Sequence, residues 1–333
     1  MTEPDQPRIV VTGGAGFIGS ALIHALNQQG HRNILVVDRL DDSPKWRNLR
    51  PLVYEDYLDA DEWIDRVRRD QAGGEAGELC FHLGACSSTT EMDMDFLMGN
   101  NTRYTSDLAV WALRRGVRFV YASSAATYGD GGQGMDDQDD DLGKLAPLNP
   151  YGYSKHLFDC QAQARGWLDH IVGLKYFNVF GPNEDHKGEM RSLVHKAFHQ
   201  VRSEGTISLF RSHRPDYRDG EQCRDFLYIK DAVAMTLHLA FHPQATGLFN
   251  LGSGKARTWI DLAKAVFGAC DREPRIEFID MPEGLRDCYQ YFTEAPVQKL
   301  LATGWEDIRF PLEEAVADYI RHYLIPDRRL GES

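Results

Sequence analysis

Tyr151 and Lys155 stand four residues apart in Tyr151-Gly152-Tyr153-Ser154-Lys155, just after Asn149-Pro150. On a helix that spacing puts both side chains on one face, so an ammonium can sit beside a phenol. A free tyrosine titrates near ~10 and is a poor base at neutral pH, whereas a neighbouring cation favours the phenolate. The chemistry within reach is proton transfer at a hydroxyl or carbonyl oxygen. Tyr153, two residues from Lys155, points elsewhere. A tyrosine and lysine at this spacing occur by chance, and they gain weight only from their company. Ser123 and Ser124, in Tyr121-Ala122-Ser123-Ser124-Ala125-Ala126-Thr127-Tyr128-Gly129, follow an aromatic and β-branched run. A serine hydroxyl there can bond both the tyrosine and a substrate oxygen.

That company is Thr12-Gly13-Gly14-Ala15-Gly16-Phe17-Ile18-Gly19, between an apolar run and a helical pattern. Glycine suits a tight turn, the approach of a pyrophosphate to a helix N-terminus, and close packing of helix on strand. Asp38 ends the next apolar run 19 residues after Gly19, where an acidic group reaches an adenosine ribose. Asp38 alone favours NAD. Arg39 and Lys45 could neutralise a 2′-phosphate, which tilts the expectation to NADP, with NAD as the alternative.

The elements that must position these groups alternate. Ile9 to Thr12, Ile34 to Asp38, Leu79 to His82, Phe119 to Ala122 and Ile171 to Leu174 read as buried strands. Phe17 to Gln29, Asn101 to Arg115, Lys155 to Asp169 and Gly188 to Glu204 read as helices. The expected fold is α/β: a doubly wound parallel sheet with a smaller C-terminal substrate-binding lobe. The dinucleotide-binding part is expected over 1–179 with a return segment at about 223–250, and the lobe over 180–222 and about 251–333. Asp130 to Lys144, which holds Asp136, Asp137, Asp139, Asp140 and Asp141, reads as a solvated acidic loop and not a metal site.

A chain of 333 residues exceeds a single small binding module, and its formal charge of -13 argues against a nucleic-acid groove. The segment from Met1 to Pro7 has no basic-then-apolar signal, and no apolar run approaches the ~20 residues of a membrane span. A cytoplasmic protein is expected, with no membrane and no nucleic acid among its partners. Cysteines at 80, 86, 160, 223, 270 and 288 have neither paired nor repeated spacing, so no metal site or disulfide framework is expected.

Taken together, the glycine turn, Ser124, Tyr151 and Lys155 resemble the extended short-chain dehydrogenase/reductase family, over the chain from Arg8 to about Leu324. The resemblance implies that Ser124, Tyr151 and Lys155 are catalytic, with Lys155 also holding a nicotinamide ribose. Dehydratases of the family carry an acidic pair where this chain has Ala125 and Ala126, which argues against dehydration. Three further blocks, His82 to Glu91, Tyr176 to Pro182 and His186-Lys187-Gly188, are most similar to the branch that inverts carbon 6 of an ADP-linked heptose in making lipopolysaccharide precursors. That branch uses a second acid/base, and its match here is Lys187. The same resemblance implies cofactor contacts at Gly13, Gly16, Phe17, Ile18, Gly19, Asp38, Arg39, Lys45, Gly84, Ala85, Cys86, Ser87, Asn100, Lys155 and Val179. It implies substrate contacts at Ser124, Asn178, Glu189, Lys196, Phe210, Arg211, Ser212, Arg224 and Tyr289, and a homo-oligomer. Arg211, Arg214, Arg218 and Arg224 are candidates for the ADP pyrophosphate, Arg224 foremost. Cys86 has no activating histidine beside it and is expected as a wall of the site. The competing expectations are a UDP-hexose 4-epimerase of the same family, and a cofactor-binding regulator without turnover.

Overall fold

Short runs of β-branched residues build the centre of the molecule. The computed structural model describes residues 7–73, 77–138, 141–286, 289–306 and 308–332; Asp139, Asp140 and Cys288, and all but Pro7 of the segment from Met1 to Pro7, lie outside the described residues. In chain order the strands are β1 (Ile9–Thr12), β2 (Ile34–Asp38), β3 (Asp56–Asp59), β4 (Leu79–His82), β5 (Arg118–Ser124), β6 (Val172–Tyr176) and β7 (Asn178–Phe180). They continue with β8 (Ile207–Phe210), β9 (Cys223–Tyr228), β10 (Gly247–Leu251), β11 (Ala256–Thr258) and β12 (Ile276–Ile279). Seven form one sheet in the order β10-β6-β5-β4-β1-β2-β3, with every pairing parallel. The order reverses at β1, between β2 and β4, so a crevice opens at their carboxyl ends. A three-stranded sheet, β11-β9-β7, and a two-stranded one, β12-β8, lie toward the C-terminal side.

Helices cover both faces. The main ones are α1 (Phe17–Gln28), α2 (Ala60–Arg68), α3 (Met94–Leu97), α4 (Tyr104–Arg115), α5 (Pro150–Ala164), α6 (Leu193–Ser203), α7 (Ile229–Phe241) and α8 (Trp259–Ala269). Ile9 and Val11 pack with Leu22 of α1 and Ala232 of α7, while Val10 packs with Trp63 of α2 and Leu108 of α4. A strand buried on both sides reads as a continuous apolar run, which is why β1 and β2 are legible.

The structure departs from the sequence reading in four places. β3 is an edge strand whose polar Asp56 and Asp59 hide it. The expected helix from Asn101 opens as a π-helical turn, Met98–Arg103, before α4. α5 begins at Pro150, where the Asn149 side chain accepts the Gly152 N–H at 2.8 Å, and stops before Gly166, whose φ is 67°. Gly188 has φ 54° and breaks the expected helix, which starts only at Leu193 after a Ser192 cap.

The acidic stretch is not simply a solvated loop. Met135, Leu142 and Leu145 are buried, and Asp137 is only 7% exposed. Its carboxylate accepts the Asn250 N–H at 2.7 Å, which ties the stretch to β10. Burial pushes the Asp137 carboxyl up to about 6. Among the described residues no helix is long and apolar enough to cross a membrane.

Candidate active site

The turn after β1 is shaped by its lack of side chains. Gly13 has φ +70°, and a Cβ there would lie 2.5 Å from the Gly84 nitrogen; a Cβ on Gly19 would lie 2.1 Å from the Gly13 oxygen. Gly16 caps α1 without any side-chain hydrogen bond, and the first turn carries no acidic residue. The helix therefore presents free N–H groups and the positive end of its dipole, which is a seat for phosphate.

A cavity of about 510 Å³ opens at this turn. It is lined by Gly13, Gly16, Phe17, Ile18, Gly19, Asp38, Lys45, Gly84, Ala85, Cys86, Ser87 and Val179 together with Ser124, Tyr151, Lys155 and Lys187. Arg39 and Asn100 line a second cavity, about 440 Å³, which shares Gly13, Asp38, Lys45 and Gly84 with the first. Thirteen of the residues expected to touch cofactor and the four expected to do chemistry, with Lys155 in both groups, thus converge on one cleft. A larger cavity, about 770 Å³, lies between α1 and α7 and is lined by none of them.

At the ribose corner Asp38 accepts from the Ala15 N–H at 2.9 Å, the Arg39 N–H at 2.8 Å and Lys45 Nζ at 2.8 Å. Its carboxylate is held by the glycine turn itself and compensated by Lys45. Arg39 forks onto Asp61 at 3.1 and 2.5 Å and donates to Asn100 Oδ1 at 2.8 Å. The Arg39–Asp61 pair is open to solvent, and such pairs contribute only ~0–1 kcal/mol.

The two serines divide their work. Ser123 is buried and donates to Asp159 Oδ2 at 2.7 Å, while Tyr121 donates to the other oxygen at 2.8 Å. Ser124 faces the cleft, and its hydroxyl pairs with Tyr151. Lys155 Nζ donates to the Ala122 carbonyl at 2.8 Å. Burial pulls the Lys155 ammonium down to about 8. Burial likewise raises Tyr151, and the Ser124 hydrogen bond only partly opposes it. From the sequence, Lys155 and the positive nicotinamide are expected to draw Tyr151 downward; in the protein alone desolvation outweighs any such pull, and the Asp159 charge adds to the upward shift.

Lys187 lies in the 3-10 turn Asp185–Met190 that follows β7, with Nζ 5.1 Å from the centre of the Phe17 ring. Burial lowers its pKa, and Glu184 opposes this. The other residues expected to touch substrate fall into two groups. Glu189 is exposed and bound by Lys196 at 3.3 Å, Arg211 pairs with Asp280 at 3.2 Å, and the Ser212 N–H donates to Asp219 at 2.8 Å. Arg214 and Arg218 are paired with Asp216 and Glu221. Phe210 ends β8 half-buried, and none of these lines the cleft. Arg224 is different. It is 5% exposed, donates to the Cys223 carbonyl at 2.9 Å, and sits 5.6 and 5.0 Å from the Trp259 and Tyr289 rings. No carboxylate among the described residues pairs with it. Its strand, β9, runs beside β7, with Phe226 opposite Asn178.

Sequence reasoning missed Asp159, although it lies one helical turn beyond Lys155 on the same face. It also missed Asn48 and His186 as partners, since nothing in their spacing brings together residues 138 apart.

These features place the chain among nicotinamide-dependent enzymes that act on nucleotide sugars. It belongs to the NAD dependent epimerase/dehydratase family, whose sequence profile matches residues 9–252. It is 53% identical over 316 residues to ADP-L-glycero-D-manno-heptose-6-epimerase of Nitratidesulfovibrio vulgaris (strain DP4), covering 95% of this chain and 97% of that one. The protein of the same name from Fusobacterium nucleatum subsp. nucleatum is 43% identical over 332 residues, covering 95% and 98%. Among solved structures, ADP-L-glycero-D-manno-heptose-6-epimerase of Helicobacter pylori superposes with a TM-score of 0.78 at 26% identity, covering 95% and 96%. UDP-glucose 4-epimerase of Thermotoga maritima, solved with UDP-glucose, gives 0.77 at 26% identity, covering 96% and 100%.

Proposed function

We propose that this chain is an ADP-L-glycero-D-manno-heptose 6-epimerase, a sugar-nucleotide isomerase of lipopolysaccharide precursor synthesis. The observation that carries the reading is that Tyr151 and Lys187, from separate elements, line one cavity with the glycine turn, in a chain 53% identical to an enzyme of that name. A nicotinamide cofactor held at the glycine turn and the Asp38–Lys45 corner would supply reversible hydride transfer at carbon 6. Proton traffic falls to the protein. Tyr151 removes or returns the proton of the carbon-6 hydroxyl in one configuration, and Lys187 does so in the other. Ser124 holds the reacting oxygen against Tyr151, and Lys155 orients the cofactor ribose and supplies positive charge beneath the phenol. Burial brings Lys187 toward the range where an amine serves as base. Arg224, buried between two rings without a carboxylate, meets the ADP pyrophosphate, with Tyr289 and Asn178 beside it.

For the cofactor the finer reading is NADP. Lys45 offsets Asp38, and the exposed Arg39–Asp61 pair gives up Arg39 to a 2′-phosphate at little cost. The decisive experiment identifies the nucleotide released on denaturation, then follows ADP-heptose with the enzyme by proton NMR. Inversion at carbon 6 is expected. Turnover of UDP-galactose instead, or cofactor binding without turnover, would overturn the reading in favour of a 4-epimerase or a regulator.

A further inference from the structure

Asn48 is 2% exposed, and its side chain reaches two loops at once. Its Nδ2 donates to the Ala15 carbonyl in the glycine turn at 3.0 Å and to the Asn183 carbonyl at 3.2 Å, with His186 Nδ1 at 3.4 Å. Two carbonyls can only accept, so the orientation of the amide is fixed. Asn48 closes the 3-10 turn Pro44–Asn48 that also carries Lys45. On the far side, Asn183 begins the loop that ends in Lys187 and holds φ 77°. Asn183 Nδ2 donates to Ser20 Oγ in α1 at 2.9 Å, and the buried Glu184 carboxylate takes the Ser192 N–H and hydroxyl at 2.6 Å each. Burial and the Lys187 charge hold His186 down to about 4, so its ring is neutral and free to accept. One amide therefore joins the phosphate turn, the ribose-side turn and the Lys187 loop.

We infer that Asn48 is a positioning residue that indexes Lys187 to the cofactor cleft, so that seating the cofactor at the glycine turn and the ribose corner also sets the second acid/base. The inference rests on the reading of Lys187 given above. Its physical content is that a loop anchored at Asn183, four residues before Lys187, is tied through Asn48 to Ala15, the residue whose N–H also holds Asp38. Reacting groups misplaced by ~1 Å lose about 10²-fold in rate, which is enough to require such a brace.

Asn48→Asp keeps the shape and replaces the donor by an acceptor facing two carbonyls. The variant is expected to keep its cofactor on purification and to epimerise ~10²-fold more slowly. An ADP-sugar bearing an aldehyde at the reacting carbon, reduced with deuterated cofactor, should be labelled on one face only. In hydrogen exchange, cofactor should protect the amides of 183–190 in the wild type and fail to do so in the variant. Asn48→Asp added to Lys187→Met should cost no more than Lys187→Met alone, because both disable the same group. Should Asn48→Asp not fold, Asn48→Ala carries the same test. Loss of cofactor, equal loss on both faces, unchanged exchange protection, or multiplying effects in the double variant would each reduce Asn48 to a scaffold residue and overturn the inference. Wild-type epimerisation by Lys187→Met would instead remove the underlying reading of Lys187.

Discussion

Replacing Lys155 by Met should make the cofactor-free protein more stable near neutral pH while abolishing its activity. Lys155 is 5% exposed, and burial holds its ammonium at about 8 where a free lysine titrates at 10.5. Below pH 8 the side chain is charged in both folded and unfolded chains, so the full penalty applies: about 2.5 pKa steps at ~1.4 kcal/mol each, or on the order of 3 kcal/mol. The folded pKa of a cation is depressed here, so the folded chain binds fewer protons than the unfolded one between pH 8 and 10.5. Stability of the wild type must rise with pH across that window. By about pH 9.5 roughly 2 kcal/mol of the penalty is relieved. Met fills nearly the same space but leaves the Ala122 carbonyl without its donor, which costs ~1 kcal/mol. The expected net gain is therefore about 2 kcal/mol at pH 7, falling to near zero at about pH 9.5. For a chain of this length that is a rise in Tm of about 3 °C. Paired thermal melts of the two apoproteins at both pH values test it. A Lys155→Met protein that melts below the wild type at pH 7, or a difference that does not shrink with pH, would refute the desolvation argument.

Tyr151→Phe should keep the cofactor and lose epimerase activity by ~10²-fold or more in a turnover assay, since only the ionisable hydroxyl is removed. Lys187→Met should lose activity to a similar extent while still binding ADP-heptose in a calorimeter. Arg39→Ala with Lys45→Ala should weaken NADP far more than NAD; equal weakening, measured by calorimetry, would remove the argument for the phosphate. Arg224→Met should raise KM for the ADP-sugar at least ~10-fold with kcat little changed, because a pyrophosphate contact is made equally before and during the reaction.

How much of this is legible in the sequence depends on how local the physics is. β1, α1 and β2 read directly because a doubly buried strand, a glycine turn and an amphipathic helix each have a pattern spanning fewer than about 15 residues. Tyr151 and Lys155 share that locality through one helix. β3 is hidden by its polar edge, and the break at Gly188 is a single left-handed residue inside an otherwise helical pattern. Asp137 shows how composition misleads: five nearby acids suggest a solvated face, yet Asn250, 113 residues on, draws that carboxylate into the core. Asn48 is invisible for the same reason, since its partners come from the glycine turn and from a loop 135 residues away.

The long-range part leaves a different signature, in the cations that the fold buries without carboxylates. Lys45, Lys175 and Lys230 are each paired, with Asp38, Asp159 and Asp318. Arg118 is satisfied by the carbonyls at the end of α7 and by Ala245. Among the described residues no carboxylate forms an ion pair with Lys155, Lys187 or Arg224; burial lowers the pKa of all three, and the more distant Asp159 and Glu184 only partly oppose this at the two lysines. Folding gains nothing from leaving a charge buried in this way, and removing it should stabilise the chain. On the proposed reading these three charges are retained for a ligand: Lys155 and Lys187 line the cleft, and Arg224 lies outside its lining, on β9. In the proposed reaction Lys155 and Lys187 would flank the alcohol that loses its proton, and Arg224, on the strand beside β7, would find its missing partner in two phosphates. On that reading, the same cost that makes Lys155→Met stabilising holds these groups ready for a nucleotide sugar.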